Sequence, residues 1–544
     1  MKQAVKKKKK QNRETHKNLP CQKNDRVVIS IEDIGSGGEG IGFLKITEQR
    51  QDINAQNTDA QDTNVIDAIG AGDSKDAGAE PREKKPLKKG FAIFVKDAVP
   101  GDTIEATVTK VTSRYAYGHL DRILEPSPSR VEPRCPIAKT CCGCQIQALD
   151  YTKQLSFKQK KVRENLIRIG GFASDQIDAV MHPIVGMEEP WHYRNKEQVP
   201  VQQGKYGPVT GFYASHSHTV IPMTDCCIGS PKNKQILETV LSWMQAHNVP
   251  AYDEEIGKGL IRHILIRDGI YSGQIMVCVI ANDYCLPFEK ELVEALRGLE
   301  GVASIVLNTN TERTNVITGR ALRTLWGADD IVDTLHIHEV TAGGSTATEF
   351  KKTEESVTFG ISPLSFYQVN PRQTEKLYSL ALNCAGLTAN ETVWDLYCGV
   401  GTISLFMARH AKKVYGVEII PEAIENARMN AERNGIENAT FYVGKAEEVL
   451  PNYVENLKAQ GKDPQIDVIC VDPPRKGCDD VCIQTMLEIA PKRIVYVSCD
   501  PATLARDLKK LAEGGYKLKY VQPVDQFAHT VHVETVCSLH RTNA

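Results

Sequence analysis

The spacing of apolar and polar positions changes twice along the chain and divides it into three stretches. From Arg26 onward apolar residues alternate with polar ones in short runs (RVVISIEDI, then the glycine-rich GSGGEGIGFLKI), and the pattern resumes from Gly90 with GFAIFVKDAVPGDTIEATVTKV and YAYGHLDRILEPS. Short period-two segments with Gly and Pro turns predict a small five-stranded barrel of the OB type over residues 23–128. Residues 48–88 interrupt it with an aperiodic stretch rich in Asp, Asn, Gln, Gly and Ala, which predicts a disordered insertion in a barrel loop. In the second stretch, YTKQLSFKQKKVRENLIRIGG predicts a basic amphipathic helix closed by Gly170 and Gly171. HILIRDG, GQIMVCVIAN and ASIVLNTN predict strands of a central α+β domain over 129–355. The third stretch, 356–544, alternates β-rich apolar runs with helical patterns (ETVWDLYCGVGTISLFMA, KKVYGVEIIPEAIENARMNAERNG, PQIDVICVDPPRKG, KRIVYVSCDPATLARDLKKL). That rhythm predicts a parallel, doubly wound α/β domain of Rossmann-like type.

Composition adds limits to this multidomain picture. At 544 residues the chain exceeds one ordinary core. No apolar run approaches the roughly 18–20 residues that span a bilayer, and the N-terminus lacks the apolar segment of a secretory signal, so a cytoplasmic protein with no membrane contact is expected. A net charge of -2 hides an asymmetry: residues 1–20 carry eight Lys or Arg against one acid, Glu14. Such a run, within residues 1–22, reads as a disordered, solvated tail that is also suited to phosphate backbones through counterion release. Sixteen cysteines without an export signal argue for reduced thiols, each a ligand, a nucleophile or a buried small side chain.

Candidate chemistry gathers in the last third. In VWDLYCGVGTISL an apolar strand ends in Asp395, a turn with Gly399 and Gly401 follows and then a helix, so the backbone there is free to approach a ligand. The next strand ends in Glu418, an acid placed to accept from ribose hydroxyls. The turn lacks the third glycine of the dinucleotide fingerprint, which favours S-adenosylmethionine, whose adenosine carries no phosphate. Asp472, followed by Pro473 and Pro474, closes a further strand at the ligand edge expected of open α/β sheets. Cys499 lies between an apolar strand and a helix, a position expected to favour the thiolate. A thiolate can add to carbon 6 of uracil, turning carbon 5 into a nucleophile for a methyl group, after which a base must remove the carbon-5 hydrogen. The segment PVDQFAHTVHVETVCSL offers Glu534, with His529 and His532 as rival bases on spacing. Cys135, Cys141 and Cys144 are spaced C-x5-C-x2-C, with Cys226 or Cys227 as a distant fourth; one short pair suits an iron–sulfur cluster better than structural zinc, though zinc or no metal stays open. Finally, WHYRNK (Trp191 to Lys196) and GLIRHILIR (Gly259 to Arg267) combine basic and aromatic residues that can hold phosphates and stack bases, or serve packing.

FYQVNPRQTEKLY, DLYCGVGTISL, DPPRKG, VYVSCDPATLARDL and HTVHVET together resemble the bacterial RNA uracil-5-methyltransferases that act on large-subunit (23S) ribosomal RNA, over nearly the whole chain. The resemblance implies Cys499 as nucleophile, Glu534 as base, and S-adenosyl-L-methionine contacts from Gln368, Tyr397, Glu418 and Asp472. It implies a 4Fe–4S cluster on Cys135, Cys141, Cys144 and Cys226, tying the barrel to the central domain, with Cys142 and Cys227 departing from the common pattern. It makes the barrel a TRAM-like RNA-binding domain, the last third a methyltransferase domain, and a monomer working on 23S rRNA the expected state. The alternatives are a transfer-RNA uracil-5-methyltransferase and an inactive RNA-binding ribosome assembly factor. Intact Cys499, Asp472 and Glu534 argue against the second.

Overall fold

The computed structural model describes residues 19–44, 90–215, 217–341 and 347–542. The basic tail up to residue 18 and the insertion expected at 48–88 lie outside the described residues. No described helix is long and apolar enough to cross a membrane. The chain divides into two units: residues 1–139, 143–157 and 529–531 form one, and 140–142, 158–528 and 532–544 the other.

In the first unit β1 (Arg26–Ile34), β2 (Gly40–Leu44), β3 (Phe91–Val95), β4 (Thr103–Val111) and β5 (Tyr115–Glu125) close into a five-stranded barrel of order β1-β2-β3-β5-β4. The period-two pattern explains the closure. Along β4, Ile104, Ala106 and Val108 are fully buried and pack with Ile29, Ile31, Ile93 and Val95, while Thr103, Glu105 and Thr107 point away from that core. Asp102, before β4, accepts from Arg130 Nε and Nη2 and from the amides of Val99 and Ser127. Burial alone would raise this carboxyl. The guanidinium and the two amides outweigh burial and hold it below the usual carboxylate range.

The second unit opens with a seven-stranded sheet of order β12-β11-β10-β9-β6-β7-β8. Its strands are β6 (Lys196–Gly204), β7 (Gly207–Tyr213), β8 (Val220–Pro222), β9 (Ile261–Asp268), β10 (Ile275–Ala281), β11 (Val302–Thr309) and β12 (Ala321–Gly327). Helices α1 (Tyr151–Arg168) and α2 (Ser174–Val180) precede this sheet, and α3 (Asn233–Ala246) and α4 (Glu289–Arg297) fall within it. The antiparallel ribbon β13 (Ile331–Thr341) and β14 (Glu349–Ile361) follows, and β14 runs straight across residue 355.

After α5 (Pro371–Ala385) come β15 (Thr392–Leu396), α6 (Thr402–Ala408), β16 (Lys413–Glu418), α7 (Pro421–Arg433), β17 (Ala439–Val443), α8 (Ala446–Ala459), β18 (Val468–Val471), α9 (Asp480–Ile489), β19 (Arg493–Ser498), α10 (Pro501–Glu513), β20 (Tyr516–Val524) and β21 (Glu534–Arg541). They build a second seven-stranded sheet, order β17-β16-β15-β18-β19-β21-β20, with the first five strands parallel and β21 antiparallel to both neighbours. Both faces are covered, which is why these strands read as nearly continuous apolar runs. Val393, Val414, Val468 and Val495 enter one core and Trp394, Tyr415, Ile469 and Tyr496 the other. Strand order reverses between β15 and β18, and a crevice at the carboxyl ends of strands at such a point is where open α/β sheets take ligands.

Candidate active site

The sheet register collects the expected residues on one edge. Leu396, the last residue of β15, lies level with Val417 of β16 and Val471 of β18, so Tyr397, Glu418 and Asp472 emerge side by side. Ser498 of β19 pairs with Thr535 of β21. The next position along each strand is therefore Cys499 and Glu534, two residues far apart in sequence made cross-strand neighbours by the antiparallel insertion of β21.

The turn after β15 is backbone-built. Tyr397, Gly399 and Gly401 have φ of 82°, 54° and 83°. A tyrosine at positive φ is strained. It is held there because its amide and that of Cys398 both donate to Val417 O at 3.0 Å. At Gly401 a side chain would meet Ala427 and the Phe441 ring at 3.2 Å, whereas an added Cβ at Gly399 would meet nothing within 4 Å. Gly399 therefore borders open space. Glu418 accepts the amides of Ile419 (2.8 Å) and Ile420 (3.1 Å) on Oε1 and that of Gly399 (3.3 Å) on Oε2, which fixes the carboxylate at the lip of the turn. Below it, Asp395 accepts from Ser404 Oγ at 2.5 Å, and its buried Oδ1 has no partner among the described residues.

Gln368 reaches the same edge from the segment before α5. Asn370 caps that helix by accepting from Gln373 N at 3.3 Å, with Pro371 at the first helical position. From β6's approach, Asn195 N donates to Val369 O at 2.8 Å and Asn195 Nδ2 to Gln368 O at 3.1 Å. Tyr378, about two helical turns along α5, is fully buried. Its hydroxyl lies 3.2 Å from Thr402 Oγ1 and bonds the Gln368 side chain, close enough to Asp472 and Glu534 to feel both charges. Sequence reasoning assigned Tyr378 no role, although it closes the FYQVNPRQTEKLY motif. Arg475, the first of two cations in DPPRKG, was likewise passed over, yet it is the positive charge felt by both Cys499 and Glu534.

Electrostatics correct one expectation. Burial, then Glu534 and Asp472, push the Cys499 thiol up to about 12, with Arg475 opposing. The amides at the start of α10 do not favour the thiolate because Asp500 takes them: its Oδ1 accepts from Ala502 N and Thr503 N at 2.9 Å each. Cys499 is therefore held as a thiol. Burial and Asp472 push Glu534 up to about 8, and burial and Asp395 push Asp472 up to about 7. The carboxyl influence runs from Asp395 to Asp472, from Asp472 to Glu534, and from both Asp472 and Glu534 to Cys499. Burial, Arg475, Lys161 and Lys158 push the rival His532 down to about 4, a far weaker base than Glu534. The other rival, His529, engages Gln154 through its amide (2.9 Å) and its ring (3.2 Å).

The cysteine run looks different. Among the described residues no group of three or more His, Cys, Asp or Glu side chains is placed to hold a metal ion. Locally, Cys135 N donates to Gln147 Oε1 at 2.8 Å, Cys141 forms a β-bridge with Ala214, and Cys226 O accepts from Gly229 N at 3.0 Å. In the WHYRNK segment Tyr193 is buried and donates to Ala528 O at 3.1 Å, a packing role.

The fold covers 83% of this chain and 97% of the Pyrococcus abyssi tRNA (uracil-54, C5)-methyltransferase solved in complex with S-adenosyl-L-homocysteine, with TM-score 0.63 and 26% identity. Fold and site together define a methyltransferase. Residues 348–542 match the family model for tRNA (Uracil-5-)-methyltransferase. A Clostridium tetani protein named as an uncharacterized RNA methyltransferase is 46% identical over 521 residues, 96% of this chain and 97% of its own length. One from Clostridium acetobutylicum is 43% identical over 526 residues, 96% and 99% of the two chains. The chain belongs to the RNA uracil-5-methyltransferase family.

Proposed function

We propose that this enzyme transfers a methyl group from S-adenosyl-L-methionine to carbon 5 of a uridine in 23S ribosomal RNA through a covalent Cys499–uracil intermediate. The observation that carries the covalent reading is the placement of Cys499 and Glu534 on neighbouring strand ends, beside Asp472. The donor fits the crevice: Gly399 borders open space, Glu418 stands at its lip for ribose hydroxyls, and Gln368, Tyr397 and Asp472 line the same edge. When bound, S-adenosylmethionine supplies an electrophilic methyl group on a sulfonium. Cys499, after passing its proton to a neighbouring carboxylate, adds to carbon 6 and makes carbon 5 nucleophilic. Once carbon 5 carries the methyl, Glu534 removes the hydrogen there, the C5=C6 double bond re-forms, and the sulfur leaves carbon 6.

Ribosomal RNA as the target rests on the resemblance of the motifs and the cysteine set to the large-subunit enzymes; the barrel does not separate the readings, because the Pyrococcus abyssi transfer-RNA enzyme matches 83% of this chain, more than the stretch after the barrel alone. The name of the family model and that of the Pyrococcus abyssi neighbour favour the second reading, transfer RNA. Mass-spectrometric mapping of 5-methyluridine in a deletion strain separates them. One or more 23S uridines should lose their methyl while transfer RNA keeps its own. Loss confined to transfer RNA moves the substrate class, and loss from neither sinks the activity.

The ligand set Cys135, Cys141, Cys144 and Cys226 enters the proposal on spacing and resemblance alone. Anaerobically purified protein should be brown and hold about four iron per chain. A colourless preparation with one zinc, or with no metal, overturns the cluster.

A further inference from the structure

The basic residues that lead into β6 take no part in the chemistry above, yet they are held firmly against it. Arg194 N donates to Ile228 O at 2.9 Å on one side, and Asn195 is tied to Gln368 and Val369 on the other. Lys196 pairs directly with Arg267 across β6 and β9. Like charges at directly opposite positions of an antiparallel pair destabilise the sheet. Arg267 is 2% exposed, and its Nη2 donates to the carbonyls of Pro363 (3.2 Å) and Ser365, which anchors the loop leading to Gln368. No carboxylate pairs with this buried guanidinium among the described residues. Lys196 is half-buried, and its ammonium makes no hydrogen bond or ion pair among the described residues. Burial, then Arg267 and Arg194, push it down to about 8. Arg194 also faces Glu197, whose carboxyl burial raises to about 7, so that acid offers only partial charge at neutral pH. A cationic trio without a full counter-charge gains most when an anion arrives. A lysine ammonium, a compact point charge, suits a phosphate.

We propose that Lys196, flanked by Arg194 and Arg267, receives a backbone phosphate of the substrate RNA and so registers the strand against the Gln368 segment. The inference rests on the RNA-methyltransferase reading and adds a positioning residue to it. The test uses the full-length protein, Lys196→Gln and Lys196→Arg, and a uridine-containing 20-nucleotide single-stranded transcript of 23S sequence as probe. Lys196→Gln should flatten the slope of log affinity against log salt by about 0.7, the value for one phosphate contact on a single strand. It should raise KM for RNA more than it lowers kcat and leave S-adenosylhomocysteine affinity intact, and Lys196→Arg should restore the slope. An unchanged slope overturns the proposal. So does a parallel loss of S-adenosylhomocysteine affinity that Lys196→Arg fails to rescue, because Lys196 would then merely support the Gln368 segment. If Lys196→Gln does not fold, Arg194→Gln must reduce the slope in its place, and an unchanged slope there is equally fatal. Should the wild type transfer no methyl to ribosomal RNA while the slope still responds, the function fails and the phosphate site stands.

Discussion

Glu534→Gln is expected to methylate its RNA once and stall, leaving a protein–RNA adduct that survives denaturation and carries one added methyl. In the proposed order of steps Glu534 acts after the transfer, so its loss leaves the earlier steps in place. Glutamine keeps the shape of a side chain that is only 4% exposed but cannot take the carbon-5 hydrogen as a proton. Turnover should fall on the order of 10²–10⁴-fold, the usual contribution of a general base. A denaturing gel of labelled RNA and the mass of the adduct read the outcome. Normal turnover by Glu534→Gln, with His532→Ala trapping the adduct instead, would reassign the base. The pH dependence carries its own sign. Burial and Asp472 raise Glu534 to about 8, so the carboxylate that acts as base is scarce below that value and dominant above it. Release of the product should therefore quicken as pH rises through about 8 in the wild type, and Glu534→Gln should lose that dependence.

Cys499→Ala should abolish methylation and form no adduct at all, a loss on the order of 10⁴-fold or more, because the covalent path has no first step without the sulfur. Binding of S-adenosylhomocysteine should survive, since Cys499 lies across β18 and β19 from the glycine turn proposed to border the donor site. Wild-type enzyme given RNA with 5-fluorouridine should be trapped at the stage where Glu534→Gln stalls, as fluorine cannot leave as a cation. Methylation by Cys499→Ala would end the covalent mechanism. The target base must leave its stack to reach this half-buried thiol, so loop or single-stranded RNA should be preferred over duplex.

What could be read from the sequence was local. Alternation along TIEATVTKV gave away the barrel strand, because pleated backbone turns every second side chain the same way. The glycines after WDLYC marked the turn, since at Gly401 a φ of 83° disfavours any side chain and a Cβ would crowd Phe441 at 3.2 Å. The apolar run before Cys499 placed it at a strand end. The juxtaposition of Cys499 with Glu534 needed the third dimension: it depends on β21 inserting between β19 and β20, a register set by packing between distant strands. The same is true of Tyr378 beneath the site and of Lys196 opposite Arg267. The protonation states lay furthest from the sequence. Position before a helix suggests a thiolate at Cys499, but Asp500 consumes the helix amides, and burial beside Glu534 and Asp472 reverses the sign. A side chain's type and spacing follow from the chain itself, whereas its charge follows from how much water is removed and which carboxyls share the space, and only the folded sheet edge decides both.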